Sequence, residues 1–231
     1  MIQKIQMVNF KFDWFLMIIS SFVVLLPFFV GFAQQKMLSY SLKTIFIYVI
    51  IATFSELVAW IIVLNHYQNH WVHNVFNIFE FGCWSYYFYQ IFDNQKVAKY
   101  VGYFSISIIM IVAAVTFVDI KNLNNFNSIA YIITCFVLIA LVLYSFYELL
   151  NSLNVPKLST NSHFWISAGA LLYFSGCFFV NLFSEIILFS KDSSLNNMWL
   201  IYYFLLFIFR IFLAIGLWFS KTPPQLSPSS K

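Results

Sequence analysis

The sequence predicts an all-α fold, a polytopic membrane protein built as a seven-transmembrane-helix bundle. Only 9% of the 231 residues are charged, whereas about 25% is usual for a soluble domain, because charged side chains are what cover a surface that meets water. In addition, 62% of the residues are hydrophobic and the mean hydropathy is +0.84. We therefore expect lipid to be the solvent for most of the surface.

Seven stretches are long and apolar enough to cross a bilayer. A hydrocarbon core of roughly 30 Å needs about 20 residues of helix, and loops must stay outside it because their backbone groups would lack partners. Short polar connections, such as residues 93–96 and 119–125, separate the stretches. We predict spans at residues 14–32, 42–64, 71–92, 98–118, 126–150, 164–189 and 198–219.

The spans predict one transmembrane domain over residues 1–219, with no room for a second domain. The first stretch is too long for a removed signal peptide and is not followed by a small-residue cleavage site, so we keep it as a span. Residues 220–231 are rich in proline and serine, which is typical of a disordered tail.

Lysine counts in the connections predict the orientation, because lysine accumulates on the cytoplasmic side of short loops. Four lysines lie on the side of the N-terminus and seven on the other side. We expect a multi-pass protein of the inner (plasma) membrane, with its N-terminus outside and its tail cytoplasmic. The net charge of +4 then indicates anchoring by anionic lipid, and no nucleic-acid-binding motif is present.

The charged side chains that lie away from the ends of the predicted spans are Glu56, Glu80, Glu185 and Arg210, whereas Glu148 lies near the inner end of its span. Such groups cost roughly 2.5 to 3.5 kcal/mol near the centre of a span on insertion scales, so we expect them to face the bundle interior. The rise per residue of a helix places Glu56, Glu80 and Arg210 at similar depths. We predict that Arg210, the only arginine in the chain, pairs with Glu80, Glu56 or both.

Short matches between the two halves of the chain suggest an internal repeat. FSELV at 54–58 resembles FSEII at 183–187, and NIFEF at 77–81 resembles FIFRI at 207–211, at nearly equal spacing. The matches predict a three-plus-one-plus-three plan, in which helices 1 to 3 and 5 to 7 are parallel repeats and helix 4 is the linker.

Aromatic and polar side chains near the interior charges predict a small-molecule site. A pocket needs apolar walls and a few convergent polar groups. The same charges could serve proton or ion translocation or act only as a structural clamp, which the sequence alone slightly favours. Asn77 lies one turn from Glu80, and the predicted walls are Trp60, Trp84, Tyr87 and Tyr203.

Three histidines, His66, His70 and His73, are weak candidates for a metal site. Zinc needs three or four ligands at about 2 Å, and Glu80 lies about 10 Å along the helix from His73. We therefore expect interfacial histidines, with no metal and no cofactor. The three cysteines fit no metal-binding spacing. No span offers a serine and a histidine at matching depth, so we also expect no intramembrane enzyme.

Two segments carry a family resemblance, HFWISAGALLYFSGCFF at 163–179 and NHWVHNVFNIFEF at 69–81. They resemble a poorly characterised group of small bacterial seven-helix membrane proteins, often encoded near sensor histidine kinases and response regulators. The resemblance implies a sensory or signalling association and supplies no catalytic residues. Gly169 and Gly176, seven residues apart on one helical face, indicate close helix packing.

The leading functional hypothesis is an integral membrane sensor or receptor whose interior Glu/Arg cluster binds a small ligand or sets a conformational equilibrium. Since the tail is too short for an output domain, we expect the signal to pass to a separate membrane or cytoplasmic protein partner, or through oligomerisation of unknown order. The alternatives are a small-solute or ion-coupled transporter and a structural subunit of a membrane complex.

Overall fold

The computed structural model of the chain describes residues 15–117, 127–151, 158–184 and 198–221. Seven helices run through these residues, together with the short 3₁₀ segments Leu158–Thr160 and Phe219–Lys221. The helices are α1 (Phe15–Gln34), α2 (Tyr40–Leu64), α3 (His70–Ile91), α4 (Gln95–Phe117), α5 (Ser128–Asn151), α6 (Ser162–Leu182) and α7 (Met198–Trp218).

The predicted all-helical fold is confirmed for the described residues. Six of the helices are long and apolar enough to cross a membrane, which is the pattern of a multi-pass membrane protein. The exception is α3, which at 22 residues is about 33 Å long but is less apolar than the others. The predicted tail falls almost wholly on residues 222–231, which lie outside the described residues.

The seven helices close into a ring. Helices that follow one another in the chain pack together, and α7 packs against α1. α3 also contacts α5 across the ring. The bundle has two ends, which we name by their connections: the α2–α3 end, at residues 65–69, and the α3–α4 end, at residues 92–94.

Trp84 shows how one face of α3 packs into the interior of the bundle. Its side chain is completely buried and packs against Tyr48 of α2, Phe174 of α6 and Phe209 of α7, with ring centroids 5.6 to 5.9 Å apart. Because this face of α3 is enclosed by other helices, it can carry buried polar side chains such as Asn77 and Glu80, which makes α3 less apolar than the rest. Phe79 and Tyr86 of the same helix are exposed.

Asparagine and serine side chains begin several of the helices. Asn161 accepts hydrogen bonds from the backbone N–H groups of His163 and Phe164, 2.8 and 3.3 Å away, at the start of α6. Asn127 and Asn94 cap α5 and α4 in the same way. Each cap satisfies backbone N–H groups that have no partner within the helix.

The predicted close packing at Gly169 and Gly176 of α6 is confirmed. A Cβ atom added at Gly169 would lie 2.5 Å from Cβ of Phe212, and one at Gly176 would lie 2.0 Å from Cδ1 of Leu205. Both neighbours belong to α7. At Gly169 the obstructing atom is a Cβ, which cannot move without the backbone, so α6 and α7 approach there at a distance that only glycine permits.

The predicted repeat stays a prediction. Its second FSE motif runs into Glu185, which lies outside the described residues, as do the last residues of the predicted span 164–189. In the first of the two predicted repeat units, Glu56 and Glu80 lie on the neighbouring helices α2 and α3.

Candidate functional site

An ion pair between Arg210 of α7 and Glu56 of α2 lies at the centre of the candidate site. Nη2 of Arg210 donates to Oε1 of Glu56. Nη1 donates to the backbone carbonyl of Ser20 and, at 3.4 Å, to that of Ser21, both on α1. The arginine side chain is 6% exposed and the glutamate side chain 19% exposed. One guanidinium therefore joins three helices.

The Ser20 carbonyl is available because α1 is interrupted at residues 23 and 24. The N–H of Val24 bonds to Ser21, three residues back, instead of to Ser20, four back. Pro27 has no N–H for the carbonyl of Val23, which accepts from Leu26 instead. A proline inside a helix disrupts the preceding turn in this way.

Arg210 pairs with Glu56, one of the two partners predicted for it, and Glu80 does not pair with Arg210 in the structure. Oε1 of Glu80 accepts a hydrogen bond of 2.8 Å from the hydroxyl of Tyr48 on α2. The side chain is buried, with 3% exposed. The guanidinium of Arg210 instead contacts Glu56 and the backbone of α1.

A cavity of about 270 Å³ lies beside the ion pair, toward the α2–α3 end. Six of the helices contribute side chains to its wall, and Glu56 supplies the carboxylate that lines it. Arg210 does not line it. The remaining lining residues are Met17, Ser21, Ala59, Trp60, Val63, Asn69, His70, His73, Tyr131, Asn181, Tyr202, Tyr203 and Leu206.

Two of the four aromatic side chains predicted as walls line the cavity. Trp60 and Tyr203 line the cavity, whereas Trp84 and Tyr87 are fully buried deeper in the bundle. Trp84 lies more than one helical turn beyond Glu80, and its ring fills the space between α2, α6 and α7. All four residues lie near the charges in the sequence. Sequence position alone does not distinguish a ring that lines a cavity from one that is packed in the core.

The histidines divide into two groups. His70 and His73 line the cavity together with Glu56. His66 is exposed in the connection after α2, where its φ of 64° ends the helix in the left-handed region. Within the described residues, no cluster of three or more histidine, cysteine or acidic side chains is arranged for a metal ion.

Asn77 is completely buried, and neither its Oδ1 nor its Nδ2 has a hydrogen-bond partner. It does not line the cavity. A buried amide without partners costs about 1 to 3 kcal/mol. Its neighbour one turn earlier, Asn74, instead accepts a hydrogen bond of 3.4 Å from the N–H of Asn127, at the start of α5.

A second cavity, of about 100 Å³, lies at the α3–α4 end and brings serine and histidine together. Ser145 of α5 and both His163 and Ser167 of α6 line it, so the prediction that no span offers such a pair is wrong. Residues 163 and 167 are about one helical turn apart, a spacing that the sequence already contains. However, Nδ1 of His163 is hydrogen-bonded to Tyr87 at 2.9 Å, and Ser145 donates to Ser167.

Several residues of the site were not predicted. Ser20 and Ser21 hold Arg210 through backbone carbonyls, which no side-chain pattern reveals, although Pro27 was a signal for freed carbonyls nearby. Tyr48 lies eight residues before Glu56 on the same helix, roughly two turns away, and that spacing could have identified it as a partner for a neighbouring carboxylate.

No protein-family model, curated protein or solved structure matches the chain.

Proposed function

We propose that this chain is a receptor-like integral membrane protein, which binds a small ligand in the cavity at the α2–α3 end and passes the binding event to a separate protein partner. The observation that carries the proposal is the position of Glu56. It lines the cavity and also holds the arginine that joins α1, α2 and α7.

A ligand that contacts Glu56 would change the strength of the Glu56–Arg210 interaction. Because the same guanidinium holds α1 at Ser20 and Ser21, the relative positions of three helices respond to one contact. Small shifts at an effector site become helix movements when packed interfaces have two discrete arrangements. The ligand must then bind one arrangement more tightly than the other.

The seven helices, including the less apolar α3, are assigned as seven spans in this proposal, with the N-terminus outside. The cavity is then open to the exterior. The resemblance to small bacterial seven-helix proteins encoded near sensor histidine kinases supports a signalling partner of that kind.

The test compares two alanine-to-leucine variants in the host. Ala59 lines the cavity and is 3% exposed, whereas Ala114 of α4 is exposed on the surface of the bundle. We expect Ala59→Leu to give the transcript profile of a deletion strain and Ala114→Leu to give that of the wild type. A wild-type profile from Ala59→Leu, at wild-type protein level, would overturn the proposal.

A transporter is the second candidate, favoured by the second cavity at the α3–α4 end. The buried rings of Trp84, Phe174 and Phe209 separate the two cavities. Two cavities at opposite ends of a bundle, separated by packed side chains, resemble a transport pathway in a closed state. Uptake into proteoliposomes that is lost in Glu80→Gln would favour this candidate, and no uptake across a broad panel of solutes would count against it.

A further inference from the structure

The cavity at the α2–α3 end presents negative charge to a ligand. Among the described residues that line it, Glu56 is the only Asp, Glu, Lys or Arg. Arg210 lies behind the carboxylate, does not line the cavity, and is the less exposed of the two side chains. Its guanidinium is also engaged by Ser20 and Ser21. A ligand in the cavity therefore meets the negative end of the ion pair.

Asn181 adds a hydrogen-bond acceptor to the wall. Its Nδ2 donates to the backbone carbonyl of Cys177 at 2.7 Å. Because a carbonyl can only accept, the amide orientation is fixed by chemistry. The side-chain oxygen is thereby identified as an acceptor that Asn181 can offer a ligand.

Aromatic rings make up much of the remaining wall, from Trp60, Tyr131, Tyr202 and Tyr203. The faces of indole and phenol rings attract cations, and cages of such rings bind quaternary ammonium groups. A carboxylate, an amide oxygen and aromatic faces together favour a ligand with positive charge and hydrogen-bond donors. The volume of about 270 Å³ is just below the range of roughly 300 to 1,000 Å³ for drug-sized ligands.

We infer that the cavity binds a small organic cation, of the amine or quaternary ammonium class, with its charged group between Glu56 and the ring of Trp60. The inference rests on the proposed function, since it names the ligand class of the same cavity. The inference also goes beyond the proposed function, because a ligand-binding cavity could equally accept a neutral molecule.

The test uses a pair of probes that differ in charge and match in shape, choline and 3,3-dimethylbutan-1-ol, with the purified protein in a maltoside detergent. Isothermal titration calorimetry measures both affinities. We expect choline to bind at least about tenfold more tightly than the neutral alcohol, a ratio within the range of a desolvated cation–π contact. Equal affinities would overturn the assignment of the ligand class and leave the ligand cavity itself intact.

Two variants test whether the preference for choline over the neutral alcohol depends on Glu56 and Trp60. Trp60→Leu and Glu56→Gln should each reduce the ratio of choline to alcohol affinity severalfold, and Glu148→Gln, a carboxylate at the α3–α4 end, should leave it unchanged. Trp60→Leu keeps the test decisive if Glu56→Gln does not fold. Preferential choline binding that both variants leave unchanged would overturn the inference, as would no binding of either probe, whereas the proposed function is judged separately by the Ala59→Leu response.

Discussion

The guanidinium of Arg210 on α7 donates a hydrogen bond to the backbone carbonyl of Ser20 on α1, whose usual helical donor, the N–H of Val24, bonds to Ser21 instead. A local defect in one helix is thus satisfied by the only arginine of the chain. The same side chain pairs with Glu56, which lines the cavity. Arg210 therefore connects the interruption of α1 to the wall of the cavity.

Separating the ion pair should destabilise the protein strongly. Glu56→Gln leaves the guanidinium of Arg210 buried without its counter-charge, and removing one partner of a buried pair costs about 3 to 5 kcal/mol. The double variant Glu56→Gln/Arg210→Met should lose less than the sum of the two single variants, because the second change removes the uncompensated charge. Thermal unfolding in detergent measures the cycle.

A surface cation provides the control for this cycle. Lys99→Met, at an exposed position, should change stability by no more than about 0.5 kcal/mol. Additive effects of the Glu56 and Arg210 changes would show that the two side chains do not interact.

The two asparagines of α3 should respond in opposite ways to leucine. Asn77→Leu removes two buried polar atoms that have no partner, so it should be neutral or should stabilise the protein by about 1 kcal/mol. Asn74→Leu should destabilise it, since the N–H of Asn127 loses its acceptor. Urea or thermal unfolding of both variants gives the comparison, and a large loss of stability from Asn77→Leu would show that its amide has a partner.

Glycine-to-alanine changes should separate packing from helix propensity. Gly169→Ala should cost about 1 to 3 kcal/mol, because the new methyl group would lie 2.5 Å from Cβ of Phe212, an atom fixed to the backbone. Gly82→Ala is the matched control. There a methyl group would meet only Cδ1 of Ile109, at 3.9 Å, and the change should stabilise α3 by up to about 1 kcal/mol.

Unfolding midpoints of the two glycine variants check this pair. Equal effects at Gly169 and Gly82 would contradict the close approach of α6 and α7.

Hydropathy was enough to predict the helices, because the need to bury backbone groups in lipid determines both their length and their composition. The rise per residue of a helix also placed Glu56, Glu80 and Arg210 at similar depths. It could not choose the partner of Arg210, since depth along a helix carries no information about rotation around it. The hydrogen-bond partner of Glu80 is therefore the hydroxyl of Tyr48 and not the expected Arg210.

The cavity was harder to predict because it depends on contacts between helices distant in sequence. Trp60 and Trp84 look equivalent in the sequence, yet Trp60 lines the cavity and Trp84 is enclosed by α2, α6 and α7. His73 and Glu56 approach the same space from neighbouring helices, a relationship that spacing along one helix does not contain.

Cysteine accessibility in the membrane tests most directly whether the cavity is open at the α2–α3 end and whether the core beneath it is closed. In a background with Cys83, Cys135 and Cys177 replaced, Val63→Cys reports on the cavity, and Leu213→Cys, at a position only 1% exposed, reports on the core. A membrane-impermeant thiol reagent should label position 63 only from the side of the N-terminus, and position 213 from neither side. Labelling of position 213, or protection of position 63 from both sides, would contradict the account.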